Sequence, residues 1–212
     1  MTLALEIVAI LLFGSVAIAG LETGHSRWTA IFKPLTTALL FFVVGWPSSS
    51  FAKLIDAGIF FSLVGDVALL RDSNKAFLVG LGGFLVAHVC YIAGFAGVGT
   101  WSGAVSAAAL AAVAVSLLLL RMVWAGTAGL RAPVIVYAAA LTTMVISAVS
   151  TLGRGMPGAL EGVLGAILFY VSDSSLAINR FYSPIPHVSF LTQGVYWLGQ
   201  LGIALAARGG IG

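Results

Sequence analysis

Charge is what this chain has least of. Only 8% of its 212 residues are Asp, Glu, Lys or Arg, against roughly a quarter in an average soluble domain. A globule of 21.8 kDa has more surface than so few charges can cover, which excludes a soluble fold for almost the whole chain. The 60% hydrophobic content excludes a disordered one. Cysteine is nearly missing too: Cys90 is the single one and lies in an apolar run, so no intrachain disulfide or cysteine-based zinc site can form. There is no Gly-x-Ser-x-Gly elbow, no His-Glu-x-x-His helix and no phosphate-binding glycine loop. Serine hydrolases, zincins and nucleotide-driven machines thereby lose their usual signatures. The ten basic residues leave a net charge of +3 but are scattered singly, so they form no patch for nucleic acid. Such scatter fits the loops of a membrane protein.

What is present is long apolar runs. Crossing the hydrocarbon takes about 20 mostly apolar residues, because the backbone must satisfy its own hydrogen bonds there. Runs of that kind fall near 3–20, 29–46, 54–70, 76–97, 102–124, 133–152, 157–178 and 188–207. They are broken by Glu22-Thr23-Gly24-His25, Pro47-Ser48-Ser49-Ser50, Arg71-Asp72-Ser73-Asn74-Lys75, Gly126-Thr127, Gly153-Arg154-Gly155 and Ser183-Pro184-Ile185-Pro186. The pattern predicts an all-α polytopic membrane protein of about eight transmembrane helices, with 1–212 as one transmembrane domain. Ala17-Ile18-Ala19 has the look of a signal-peptidase site, yet Met1 to Glu6 holds no Lys or Arg, so the first segment reads as a retained helix.

Eight spans put both termini on one side. Loops after odd-numbered spans hold Arg27, Arg71, Lys75, Arg121, Arg131 and Arg180, and the opposite face holds Lys53, Arg154 and Arg208. The bias places the odd loops in the cytoplasm and both termini outside. A faint repeat accompanies this order. Leu35-Thr36-Thr37 returns as Leu141-Thr142-Thr143, and Phe61-Ser62 with Asp66 is echoed by Phe169 with Ser172-Asp173. Four spans per half would make the two halves parallel, a 4+4 arrangement known among membrane folds.

Ionisable groups inside a span are costly and usually face a protein-lined cavity for a purpose. Glu6, Asp56 and Glu161 fall close to helix ends, where a side chain reaches headgroups. Lys33, Asp66, His88 and Asp173 do not. At about 1.5 Å per residue, Lys33, Asp66 and Asp173 come out roughly 6–8 Å inside the cytoplasmic face, with Tyr196 at about 12 Å and His88 and Gln200 near 18 Å. Two carboxylates and one lysine leave one acid without a cation, and desolvation disfavours the ionised form of such a group. A proton donor beside a carboxylate is an acid–base pair. The plainer reading is that Lys33 pairs with either Asp to hold helices together. A zinc site from His88 and the two aspartates is a further alternative, and we expect no metal. Small-residue spacings such as Gly80 to Gly83 read as close helix packing.

Lys33-Pro34-Leu35-Thr36-Thr37 followed by Phe61-Ser62-Leu63-Val64-Gly65-Asp66-Val67-Ala68-Leu69-Leu70 resembles the YhhN-like family of membrane proteins, which includes the lysoplasmalogenases. The likeness continues through Phe77-Leu78-Val79-Gly80-Leu81, Phe84, His88 and Tyr91, then Phe169-Tyr170-Val171-Ser172-Asp173 to Asn179-Arg180-Phe181, and ends at Tyr196-Trp197-Leu198-Gly199-Gln200. It covers most of the chain. The Gly-Asp and Ser-Asp helices are its specific parts. The resemblance implies a hydrolase that cleaves the vinyl ether bond of lysoplasmalogens, releasing a fatty aldehyde and glycerophosphoethanolamine or glycerophosphocholine without a cofactor. The family's two acidic positions fall on Asp66 and Asp173. Vinyl ethers hydrolyse by protonation at the β-carbon and capture of the oxocarbenium ion by water, which needs a general acid and a nearby negative charge.

On that basis Asp66 and Asp173 are expected to be the acid–base pair. Lys33 would meet the lipid phosphate or bias one aspartate, and Ser62, His88, Tyr91, Ser172, Asn179, Tyr196 and Gln200 are supporting or headgroup candidates. The partner is a lysophospholipid entering from the cytoplasmic leaflet, in what compact loops suggest is a bacterial inner membrane. Two rivals stand beside this reading: a small-molecule or proton-coupled transporter, and a non-catalytic scaffold held by an ion-pair network.

Overall fold

The computed structural model describes residues 2–209, and these form an all-helical bundle with no strand among them. Eight helices run in order: α1 (Leu3–Thr23), α2 (Ser26–Val44), α3 (Ser50–Ala68), α4 (Asn74–Val98), α5 (Gly103–Val123), α6 (Arg131–Val149), α7 (Ala159–Phe181) and α8 (Val195–Arg208). A π-helical turn, Phe190–Gly194, leads into α8. Six of these helical stretches are long and apolar enough to cross a membrane. Of the other two, α3 carries Lys53, Asp56 and Asp66, and α8 is only 14 residues long without the turn before it. The chain is an integral, multi-pass membrane protein.

Helix starts follow their local chemistry. Ser49, Ser73 and Ser102 each accept the backbone N–H three residues on, at 3.1, 3.1 and 3.3 Å, capping α3, α4 and α5. Gly24 ends α1 in the left-handed region (φ 73°) and turns the chain at once into α2. The helices overrun several hydropathy boundaries: α2 begins at Ser26 rather than 29, α3 at Ser50 rather than 54, and α7 runs to Phe181 rather than 178. Polar residues at these ends lower hydropathy without interrupting the hydrogen-bond ladder, so composition stops where the helix does not.

Sequential hairpins α1–α2, α3–α4 and α7–α8 make the tightest pairs; α2 also packs on α3 and α8, α4 on α6, and α5 on α6 and α7. Small residues allow the close approaches. A Cβ built on Gly165 would lie 2.6 Å from the Gly199 carbonyl oxygen, and one on Gly199 would lie 2.7 Å from the Phe169 nitrogen. The backbones of α7 and α8 therefore touch, which only glycine permits. Gly83, from the spacing read as a packing face, likewise lies against the backbone of α3 at Gly65. Helix α5 is peripheral, with Val105, Ser116 and Val123 its buried residues.

Glu6 departs from the expectation of interfacial solvation. It is buried, and Arg208 Nη1 donates to its Oε2 at 2.9 Å. The same nitrogen reaches the Phe42 and Val43 carbonyls at 3.4 and 3.2 Å. Carbonyls at the end of α2 and a carboxylate at the start of α1 thus share one guanidinium at the end of α8. That contact holds the start of α1 and the end of α8 together at one end of the bundle. Asp56 is half-buried rather than free in the headgroup zone, whereas Glu161 is exposed as expected.

Candidate active site

The polar residues of the bundle fall on helix faces at i, i+4 spacing, where side chains stack over one another. Lys33 and Thr37 share a face of α2, Ser62 and Asp66 one of α3, Phe84 and His88 one of α4, and Tyr196 and Gln200 one of α8. Folding brings three of these faces, those of α2, α3 and α8, together at Asp66. Its Oδ2 accepts from Thr37 Oγ1 at 2.5 Å and from the Tyr196 hydroxyl at 2.9 Å, and Lys33 Nζ stands 3.6 Å from Oδ1. Trp197 Nε1 donates to Thr37 Oγ1 at 3.1 Å. Beyond Tyr196 the chain of bonds continues: Gln200 Nε2 donates to its hydroxyl at 3.3 Å, Tyr91 donates to Gln200 Oε1 at 2.6 Å, and Ser62 lies 3.5 Å from Tyr91. Every member is buried. An ammonium and two hydroxyl donors around one carboxyl make the partner set of an ionised carboxylate.

Asp173 sits in different company. Tyr137 of α6 donates its hydroxyl hydrogen to Asp173 Oδ2, and His88 Nε2 lies 4.0 Å from the same oxygen. His88 Nδ1 donates to the Phe84 carbonyl at 2.5 Å. No lysine or arginine pairs with Asp173 among the described residues. Aromatic contacts link the surroundings of the two aspartates: Phe84 and Phe169 meet the Tyr196 ring edge-on at centroid distances of 5.6 and 5.2 Å, and Phe169 meets His88 at 4.7 Å. Among the described residues no hydrogen bond or ion pair joins Asp66 to Asp173. Nor do three His, Cys, Asp or Glu side chains converge among them in a way that would hold a metal.

Asp173 and Tyr137 line a cavity of about 80 Å³ between α4, α5, α6 and α7. Its wall is almost wholly apolar, with Leu81, Phe84, Leu119, Leu120, Leu141 and Ala177 among the lining residues. Ser116, Tyr170 and Ser174 add the other polar groups of the lining, and Ser116 Oγ lies 2.5 Å from both the Thr142 hydroxyl and the Tyr170 hydroxyl. At one end of the cavity are Phe77 and Phe181. Arg180 lies 3.7 Å over the Phe77 ring and donates to Asn74 Oδ1 at 3.0 Å. Asp66 is not part of this wall.

The expected supporting residues therefore divide. Lys33, Ser62, Tyr91, Tyr196 and Gln200 gather with Asp66, and His88 goes to Asp173. Ser172 and Asn179 turn to the connection between α7 and α8: Ser172 donates to the Thr192 carbonyl at 3.1 Å, and Asn179 accepts from Ile185 N at 2.9 Å. Rise per residue places His88 about 10 Å below Asp173, but the two stand 4.0 Å apart. A per-residue rise measures depth only for helices parallel to the bilayer normal, and α7 also runs three residues past its hydropathy end. Tyr137 escaped the sequence reading because it lies in α6, outside the family motifs. Its signal was a tyrosine about two turns inside an apolar span, where a phenol needs a partner.

A polytopic helical membrane protein with a carboxyl at the wall of a mostly apolar cavity, and a second, buried and ion-paired carboxyl in the same bundle, is the class these features define. The chain belongs to the YhhN family, whose model matches residues 28–207. It is similar to lysoplasmalogenase TMEM86B of Rattus norvegicus, 30% identical over 176 residues, covering 82% of this chain and 70% of the relative. The Homo sapiens TMEM86B lysoplasmalogenase is 29% identical over 188 residues, 88% of this chain and 78% of that protein. A lysoplasmalogenase of Mycobacterium tuberculosis (strain CDC 1551 / Oshkosh) is 34% identical over 167 residues, 75% of this chain and 62% of its own length. No solved structure matches the chain.

Proposed function

We propose that this protein is a membrane-embedded hydrolase of lysoplasmalogens, cleaving the vinyl ether bond to a fatty aldehyde and a glycerophospho headgroup. The observation that carries the reading is the Asp173 carboxyl, set with Tyr137 in the wall of a mostly apolar cavity, in a chain whose relatives bear that enzyme's name. A single-chain lipid needs apolar walls for its alkenyl chain and one acid at the double bond. Asp173 is the proton donor in this reading, because its side chain keeps 9% exposure and borders the cavity. Asp66, 1% exposed and outside the cavity wall, acts as a positioning residue. Its fixed negative charge favours the developing oxocarbenium ion through the intervening low-dielectric medium.

The headgroup site moves from Lys33 to the rim. Lys33 is enclosed against Asp66, out of reach of a phosphate, whereas Arg180 is exposed at the cavity end beside Phe181. Seven residues of α7 separate it from Asp173, about 10 Å of rise, of the order of a glycerol backbone with its flanking oxygens. Arg71, Lys75, Arg121 and Arg131 lie at this end of the bundle, which we assign to the cytoplasmic face of a bacterial inner membrane. The carrier alternative gains no support, since α3 and α7 run unbroken past their aspartates.

Purified protein in detergent, given a lysoplasmalogen, is expected to release aldehyde, and Asp173→Asn to lose the activity by about 10²–10⁴-fold while remaining folded. Absence of aldehyde from folded wild-type protein overturns the assignment.

A further inference from the structure

His88 is wholly enclosed, and its ring orientation is fixed from three sides. Phe169 meets it edge-on at 4.7 Å and Tyr137 at 5.2 Å between centroids. Nδ1 lies 2.5 Å from the Phe84 carbonyl, and since a carbonyl cannot donate, Nδ1 carries the hydrogen. In the neutral ring Nε2 is then an acceptor. No protein group lies within hydrogen-bond distance of it among the described residues. What it faces is Asp173 Oδ2, 4.0 Å away, an oxygen that already accepts from Tyr137. Two acceptors are thus aimed at one another across a gap too long for a direct hydrogen bond and too short to hold a side chain.

We propose that His88 Nε2 and Asp173 Oδ2 hold the hydrolytic water between them, and that His88 is the base that deprotonates it. A water oxygen about 2.8 Å from each acceptor spans 4.0 Å at roughly a right angle, close to the angle between a water's own two hydrogens. Such a molecule donates once to each partner. Phe84, Tyr137 and Asp173, which adjoin it, also line the cavity, though His88 itself does not. A buried polar site with two or more fixed partners is where an ordered water is retained.

For the chemistry, though not for the water, the inference rests on the vinyl ether reading. Asp173 gives its proton to the β-carbon of the vinyl ether. The C=C π pair forms the new C–H bond, and the α-carbon becomes an oxocarbenium ion. The held water forms a C–O bond to that carbon as its proton passes to His88 Nε2, giving a hemiacetal. His88 then protonates the glycerol oxygen as the C–O bond to it breaks. The hemiacetal hydroxyl proton returns to Asp173, and aldehyde leaves with both residues reset. One water is consumed, and no oxidant, reductant or metal takes part.

The closing experiment uses the full-length protein and reads the site in two ways. ¹⁵N NMR of histidine-labelled protein is expected to show His88 as the neutral Nδ1–H tautomer, and a high-resolution structure to show an oxygen bonded to both Nε2 and Asp173 Oδ2. Kinetically, His88→Gln, which can still accept from water but cannot take its proton, is expected to lose about 10²–10⁴-fold in kcat with KM within about twofold. His88→Phe keeps the edge-on ring contacts and is expected to be equally inactive. An imidazolium, a direct His88–Asp173 bond with no oxygen between, or either variant within about threefold of wild type overturns the proposal. If the oxygen is present but wild-type protein cleaves no vinyl ether, the water site stands and the assigned reaction falls. Should His88→Phe not fold, the tautomer, the oxygen and His88→Gln still decide.

Discussion

Lys33 Nζ stands 3.6 Å from Asp66 Oδ1, with side-chain exposures of only 5% and 1%. Removing one partner of such a pair leaves a buried charge without compensation, which costs about 3–5 kcal/mol, whereas replacing both by neutral groups of similar shape is often close to neutral. Lys33→Met should therefore unfold at a markedly lower temperature than wild type in detergent, and Lys33→Met with Asp66→Asn should recover most of the loss. Thermal unfolding of the three proteins checks this. A double variant no more stable than Lys33→Met would show that the pair is not what holds α2 to α3 here.

Both aspartates stand out in the sequence, because an ionisable residue in an apolar span does so whatever its partners; their equal depth does not carry over, since Asp66 lies two residues from the end of α3 and Asp173 eight from the end of α7. The bundle was legible too: the eight runs became eight helices, with ends displaced where Ser26-Arg27 or Asn179-Arg180 continue a helix beyond its apolar stretch. Which residues meet was less legible. Thr37 and Thr143 are equivalent in the proposed repeat, yet Thr37 donates to Asp66 while Thr143 is exposed and bonds its own helix at Ala139. The hydroxyl donor to Asp173 is Tyr137 instead. Helix rotation and tilt, set by glycine contacts such as Gly83 against Gly65, decide these partners. A hydropathy pattern carries neither.

Arg180 offers a test of where the lipid headgroup sits. The guanidinium is held by the Phe77 face and by Asn74, which leaves its other N–H donors for the two-pronged phosphate contact that lysine cannot reproduce. Arg180→Ala should raise KM for a lysoplasmalogen by about tenfold or more, the scale of a hydrogen bond to a charged group, with kcat little changed. For an alkenylglycerol lacking the phosphate, KM should be the same in variant and wild type. Equal losses on both substrates would mean that Arg180 supports the cavity end rather than the phosphate.

The wall that α5 gives to the cavity predicts a dependence on chain length. Leu119, Leu120 and Val123 line it, together with Ser116, on a helix otherwise mostly exposed. A larger side chain there intrudes on the space without disturbing Asp66 or its partners on α2, α3 and α8. Leu120→Trp should lower kcat/KM for long alkenyl chains far more than for short ones. Each methylene that loses its buried place removes about 0.8 kcal/mol, or roughly fourfold, until the chain is short enough to fit. Assays across a series of alkenyl lengths read the effect as a change in slope, so a uniform loss of activity from damage to the fold is told apart at once. A slope unchanged from wild type would mean that the alkenyl chain lies elsewhere, and Asp173 would then have to meet its substrate from another side.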